Sequence, residues 1–255
     1  MTIFNFARSA EHGPKGARGH RAYVIGDVHG RLDLLDKLLE EIARDGSERP
    51  AKKTLLVFLG DLIDRGPHSA QVIERLRTYP ADGVRAVFLL GNHEEVLLRI
   101  LDGDTGLIAS WLQFGGAECL QSYGADWRKI ARAADAPALE MIRNVILAEH
   151  VEFIQSFVDT CRFGDYLFVH AGIRPGVTIE DQLQSDLRWI REPFLLDDTD
   201  HGCVVVHGHT IREEIEERPN RIGIDTGAYR TGVLTALVIE GDDRRYLQTR
   251  VAGQP

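Results

Sequence analysis

Three times in the first hundred residues, an apolar run stops at a glycine, passes through a polar loop and gives way to helical spacing. The runs are 21–26, 54–60 and 85–91. The helical faces that follow are Leu34, Leu35, Leu38, Leu39 and Ile42; then Val72, Ile73 and Leu76; then Val96, Leu97, Ile100 and Leu101. Apolar residues recurring three and four apart belong to amphipathic helices, and short β-rich runs before them belong to buried strands. Strand, loop and helix in repetition build a largely parallel sheet, whose ligands gather at the carboxyl ends of its strands.

The second half is richer in strands, with runs at 166–169, 203–206, 221–224, 233–239 and 246–251. The last two flank Glu240-Gly241-Asp242-Asp243, a turn-like cluster that predicts a hairpin. The expected fold class is therefore α/β, two mixed sheets packed together with outer helices. Residues 102–163 break the rhythm with Gly103, Gly106, Gly115, Gly116 and Gly124 between helical pieces. They read as a helical insert that either borders the site or forms a structural layer. Residues 1–20 read as a basic, flexible leader and residues 21–255 as one catalytic domain.

Polar residues cluster where the apolar runs end. Asp27 and His29 are two apart, so in extended backbone both face one way and can reach one ion. Asp61 follows Gly60 at the next strand end and is suited to bridge two ions. Asp64 and Arg65 come within one turn of it, and a planar guanidinium matches phosphate oxygens. Asn92 offers a neutral oxygen, while its neighbour His93 could be oriented by Asp64 and donate a proton. His170 ends a fourth strand. His207 and His209 compete at the end of a fifth, since both point to the same face of an alternating strand; the pattern favours His209. Each residue alone is more often an N-cap or a surface group. Together, Asp, His and Asn donors with an arginine point to a two-metal hydrolytic centre.

Charge and cysteines bound the alternatives. A net charge of −9 argues against a nucleic-acid polymer as partner. Bound metals can still reverse the sign locally for anionic substrates. Cys119, Cys161 and Cys203 have neither CxxC spacing nor an arginine six positions on, which excludes the cysteine-nucleophile route to dephosphorylation. An odd, scattered set reads as reduced thiols, hence a cytoplasmic protein. No apolar run approaches the roughly 20 residues a membrane helix needs.

The motifs G-D-V-H-G, G-D-L-I-D-R-G, G-N-H-E, H-A-G and G-H-T occur in the order found in the calcineurin-like metallophosphoesterases. The chain most resembles the PPP-type serine/threonine phosphatases of bacteria and bacteriophages, from about residue 22 to its end. Ile211 stands where many broader members have the last His of G-H-x-H, which favours that branch. The resemblance implies a β-sandwich flanked by helices. It implies Asp27 and His29 on a first metal, Asp61 as the bridge, and Asn92, His170 and His209 on a second. Asp64 and His93 would form the acid dyad. Arg65 and Arg191 would bind phosphate, with Arg188 a competitor for the second place. The metals would be two Mn²⁺, with Fe or Zn²⁺ suiting the same donors, and a hydroxide shared between them would attack phosphorus. The implied substrate is a phosphoserine or phosphothreonine protein. Symmetrical diadenosine tetraphosphatases share these motifs, so a dinucleoside polyphosphate is the alternative. A small phosphorylated molecule is a third candidate, and a regulatory protein without catalysis a fourth.

Overall fold

The computed structural model describes residues 13–50, 53–79 and 84–250. The chain opens with β1 (His20–Ile25), α1 (Leu32–Glu48), β2 (Lys53–Phe58), α2 (Ser69–Arg77), β3 (Val84–Phe88) and α3 (Asn92–Leu101). The insert contributes α4 (Ile108–Trp111), α5 (Ala117–Ser122), α6 (Trp127–Arg132), α7 (Asp135–Val145) and α8 (Ala148–Gln155). Then come β4 (Thr160–Phe163), β5 (Tyr166–Val169), α9 (Gln184–Trp189), β6 (Val204–His207), β7 (Glu216–Glu217), β8 (Arg221–Gly223), α10 (Ala228–Thr231), β9 (Val233–Glu240) and β10 (Asp243–Arg250).

Two five-stranded sheets result, in the orders β10-β9-β1-β2-β3 and β4-β5-β6-β8-β7. In the first, β1, β2 and β3 run parallel, β9 runs antiparallel to β1, and β10 runs antiparallel to β9. In the second, β5, β6 and β8 run parallel between antiparallel edges β4 and β7. The sandwich follows from side-chain alternation. Ala22, Val24 and Val57 face Phe168, Val204, Val206 and Ile222 of the other sheet. Tyr23, Ile25, Leu56 and Phe58, one residue out of phase, face the helices. The second sheet buries Leu167, Val169 and Val205 on its outer face against Leu187 and Ile190.

Two features depart from the sequence reading. The helical insert does not run to residue 163: Thr160–Phe163 is a strand paired antiparallel with Tyr166–Val169. Its four residues are too few to show alternation, and their conformation is set by the neighbouring strand. The leader also does not stay apart through residue 20. The N–H of Lys15 donates to Asp165 Oδ2 at 2.8 Å, and that of Gly16 to the Gly241 carbonyl at 2.6 Å. His20 already belongs to β1. Residues 1–12 of the leader lie outside the described residues.

Candidate active site

The loops after β1 and β2 are joined by their own backbones. The N–H groups of Val28 and His29 donate to the Asp61 carbonyl at 3.1 and 2.8 Å, and that of Gly30 to the Leu62 carbonyl at 2.8 Å. Among the described residues, the only non-glycine residues at positive φ are His29 (45°), Asp61 (49°), Asp64 (70°), Arg65 (66°) and His209 (63°). All five were singled out from the sequence for chemistry. Backbone in this region costs free energy that surrounding contacts must offset. Glu94, fully buried, supplies such contacts. Its carboxylate accepts from the N–H groups of Asp61 at 2.9 Å, Leu62 at 2.7 Å, Ile63 at 3.2 Å and Gly91 at 3.1 Å. Burial, with the Asp61 charge nearby, pushes its carboxyl up to about 7.

Asp61 stands between two groups of donors. His29 Nε2 lies 3.5 Å from one of its carboxylate oxygens, and His170 Nε2 lies 3.5 Å from the other. Both imidazoles point the same nitrogen inward for the same reason. His29 Nδ1 sits 2.8 Å from the Ile63 carbonyl and His170 Nδ1 2.7 Å from the Leu59 carbonyl. A carbonyl only accepts, so Nδ1 carries the proton and Nε2 presents a lone pair. Asn92 Oδ1 is 3.0 Å from His170 Nε2 and 2.9 Å from His209 Nδ1. Burial holds His170 below its ordinary value and His209 down to about 2, so both are neutral. Acceptors converging on acceptors in this way suit a cation between them.

The carboxylates make the same case. Burial, reinforced by Asp225 and Asp61, raises the Asp27 carboxyl well above the ordinary range. Burial likewise raises Asp225 to about 6. Asp61 is held far below that range, because the surrounding histidines outweigh its burial. Asp27 Oδ2 accepts from the His209 N–H at 3.0 Å, while its buried Oδ1 has no hydrogen-bond partner. Three buried carboxylates with one arginine close by must take up protons or be neutralised by cations, and a bound cation leaves them ionised as ligands. The residues therefore fit two metal ions sharing Asp61. Their ligand atoms within 4.8 Å of one another form two groups, Asp61-His170-His209 and His29-Asp61-His93. The second contains His93 where the sequence reading places Asp27.

His93 has a different set of partners. Its Nδ1 lies 2.6 Å from Asp64 Oδ2, and its Nε2 lies 3.0 Å from Arg65 Nη2. Burial opposes its protonation, but Asp61 and Asp64 outweigh burial and raise its pKa. Arg65 also reaches His29 Nε2 with Nη1 at 3.1 Å, and its guanidinium lies 4.8 Å from the Tyr229 ring centre. Arg191 is exposed, and its charge lowers the pKa of both His170 and His209. Among the described residues no carboxylate pairs with it. Arg188, its competitor, is tied to Asp159 at 2.7 Å and to Glu95 at 3.5 Å. His209 approaches Asn92, whereas His207 packs 5.1 Å from the Phe194 ring and is lowered to about 4 by burial.

The sequence reading gave no part in the chemistry to Glu94, Trp111, Asp225 or Tyr229. Glu94 is the last letter of G-N-H-E, so its signal lay inside a motif already noticed. Nothing local marks the other three, which reach the site only through the fold.

The fold and this constellation define a phosphoester hydrolase that works with a binuclear metal centre. The chain belongs to the calcineurin-like phosphoesterases, whose family pattern matches residues 20–229. It is 31% identical to serine/threonine-protein phosphatase 1 of Salmonella typhimurium, over 86% of this chain and 91% of that one. It is 30% identical to the asymmetrical bis(5'-nucleosyl)-tetraphosphatase PrpE of Halalkalibacterium halodurans, over 84% of this chain and 88% of that one. A solved structure described as a candidate diadenosine tetraphosphatase shares the fold with a TM-score of 0.64 at 20% identity. That match covers 94% of this chain and 100% of the other. No helix among the described residues is long and apolar enough to cross a membrane.

Proposed function

We propose that the chain is a phosphomonoesterase acting on phosphoserine and phosphothreonine in proteins. The observation that carries this reading is the 2.6 Å contact between His93 Nδ1 and Asp64, with His93 Nε2 directed at Arg65 and the metal cluster. A serine or threonine alkoxide is a strong base and leaves only when protonated, so its departure needs a placed acid. A nucleotide leaving from a polyphosphate is already a stable anion and needs one far less.

Asp27 and His29 would hold one ion, Asn92, His170 and His209 the other, and Asp61 both. With oxygen and imidazole donors and no thiolate, two Mn²⁺ is our assignment, Fe and Zn²⁺ being suited to the same set. When bound, the ions supply a water activated at neutral pH and counter-charge for the phosphoryl oxygens. Arg65 and Arg191 would clamp those oxygens and stabilise the charge that develops on them. Arg65 donates to the His93 Nε2 lone pair here, so its transfer to a phosphate oxygen would free that nitrogen to take up a proton and pass it to the leaving oxygen. Asp64 would keep the ring in place throughout. Thiol-bearing cysteines suit a cytoplasmic location.

The relative from Halalkalibacterium halodurans supports a second reading, hydrolysis of dinucleoside polyphosphates. The test is turnover with Mn²⁺ on a phosphoserine peptide and on diadenosine tetraphosphate, side by side, with products resolved. Phosphate release confined to the peptide is the expected result. ADP alone would instead indicate symmetrical cleavage, and ATP with AMP asymmetrical cleavage; either without peptide turnover would overturn the phosphoprotein assignment.

A further inference from the structure

The segment Trp111-Leu112-Gln113-Phe114-Gly115-Gly116 interrupts the insert between α4 and α5. Residues Leu112–Gly116 form a π-helical turn in which Phe114 (φ −97°) and Gly115 (φ 118°) leave helical geometry. Such bulges widen a helix by one residue and recur at functional sites. This one touches the loop after β2 at two consecutive residues. The buried indole of Trp111 donates its Nε1–H to Asp64 Oδ2 at 2.9 Å, the same oxygen that meets His93 Nδ1. The Gly115 carbonyl accepts the Arg65 N–H at 3.2 Å. Gly116 leaves room for the indole, because a Cβ there would come within 2.4 Å of the ring.

A carboxylate held by one partner can rotate about its χ2 axis and carry that partner with it. A second donor on the same oxygen fixes the plane of the group. An indole suits this task because it donates, never accepts, and does not titrate. In a site this buried, the bond is also stronger than it would be in water.

We infer that Trp111 is a positioning residue, locking the Asp64 carboxylate that orients His93 and so drawing the insert into proton delivery. The inference rests on the reading of His93 as the acid given above.

Two variants remove the donor and keep an aromatic ring: Trp111→Phe, and replacement of Trp111 by benzothienylalanine, which matches indole in shape but lacks the N–H. The second keeps the test decisive if the first does not fold. Each is assayed as Mn²⁺-loaded enzyme on a phosphoserine peptide and on p-nitrophenyl phosphate, whose leaving group needs no acid. A hydrogen bond to a charged group is worth about 1.5–3 kcal/mol, so kcat on the peptide should fall by about 10- to 100-fold. The loss on p-nitrophenyl phosphate should be distinctly smaller, with KM and metal content held. In a His93→Asn background, Trp111→Phe should cost nothing further, because the two act as one unit.

Equal losses on both substrates, or no loss on the peptide, would overturn the inference. His93→Asn separates the two readings. If it shows the leaving-group dependence and the Trp111 variants do not, only the inference falls. If His93→Asn lacks the dependence, the acid reading falls and takes the inference with it.

Discussion

Asp61 shows how one side chain can organise a site. Each of its oxygens faces a different imidazole, its carbonyl ties down the preceding loop, and its N–H is held by Glu94. The left-handed backbone at Asp61, Asp64 and Arg65 turns successive side chains toward the same point, which a regular strand or helix would not do. Glu94 offsets that strain by gathering four N–H groups onto one carboxylate. At this scale the two candidate arginines can be told apart. Arg188 is committed to Asp159 and Glu95, whereas Arg191 is exposed beside the histidines. Arg191→Ala should weaken phosphoester turnover, lowering kcat/KM by about 10-fold or more, in line with the loss of a charge-assisted phosphate contact. Arg188→Ala should leave kcat/KM nearer wild type and act mainly on thermal stability. Steady-state kinetics of the two variants on one substrate checks this.

Among the elements, strand parity does most to place the site. Three parallel strands in each sheet end at the same edge of the sandwich, so six loops distant in sequence meet there. The longer helices were legible because their apolar spacing repeats over successive turns, and central strands such as Tyr166–Val169 because they are unbroken apolar runs. Helix Ser69–Arg77 carries the face Val72, Ile73 and Leu76 that the spacing predicts, and Tyr166–Val169 falls where the sequence reading puts it. Strand Thr160–Phe163 and the π turn at 112–116 were not legible, because pairing with a neighbour defines the first and docking on the Asp64-Arg65 loop defines the second. Gly115 makes that docking possible. An alanine there would be strained at φ 118° and would bring its Cβ within 2.4 Å of the Arg65 nitrogen. Gly115→Ala should therefore displace Arg65 and reduce kcat/KM by up to about 100-fold, the scale of a 1 Å misplacement. A loss below about twofold would show that the loop is not held from this side.

Over the whole molecule, a second polar network sits away from the site and ties the first sheet to α1. Asp45, buried on α1, accepts from the Tyr23 hydroxyl at 2.6 Å and from Arg245 at 2.5 Å, and also pairs with Arg49. Arg21, itself buried, lies 3.7 Å from the same carboxylate. Burial works against the Asp45 anion, but these partners outweigh it and hold its carboxyl below the ordinary value. A depressed folded-state pKa means the stabilisation is complete above the unfolded carboxylate pKa, about 3.9, and is lost as pH falls through the folded value. Asp45→Asn should cost about 1–3 kcal/mol at pH 7. The gap from wild type should close as the pH is taken below about 4, which denaturant unfolding at a series of pH values would show. The active site makes the complementary prediction. Its buried carboxylates are relieved by cations that bind only the folded state, so a chelator should lower Tm, and added Mn²⁺ should restore it in proportion to the logarithm of its concentration.

The inventory of the site is written in the chain: which donors stand at the strand ends, in what order, and that they are oxygen and imidazole groups beside an arginine. Local chemistry suffices for that, since glycine turns, apolar periodicity and ligand type are written within a few residues. The tertiary structure alone decided which oxygen of Asp61 faces which histidine, that His209 approaches Asn92 while His207 packs against Phe194, and that Trp111 reaches Asp64. Those relations join residues up to 117 positions apart, as with Asn92 and His209. They depend on the register of two sheets and on side-chain packing in three dimensions, which no local pattern encodes.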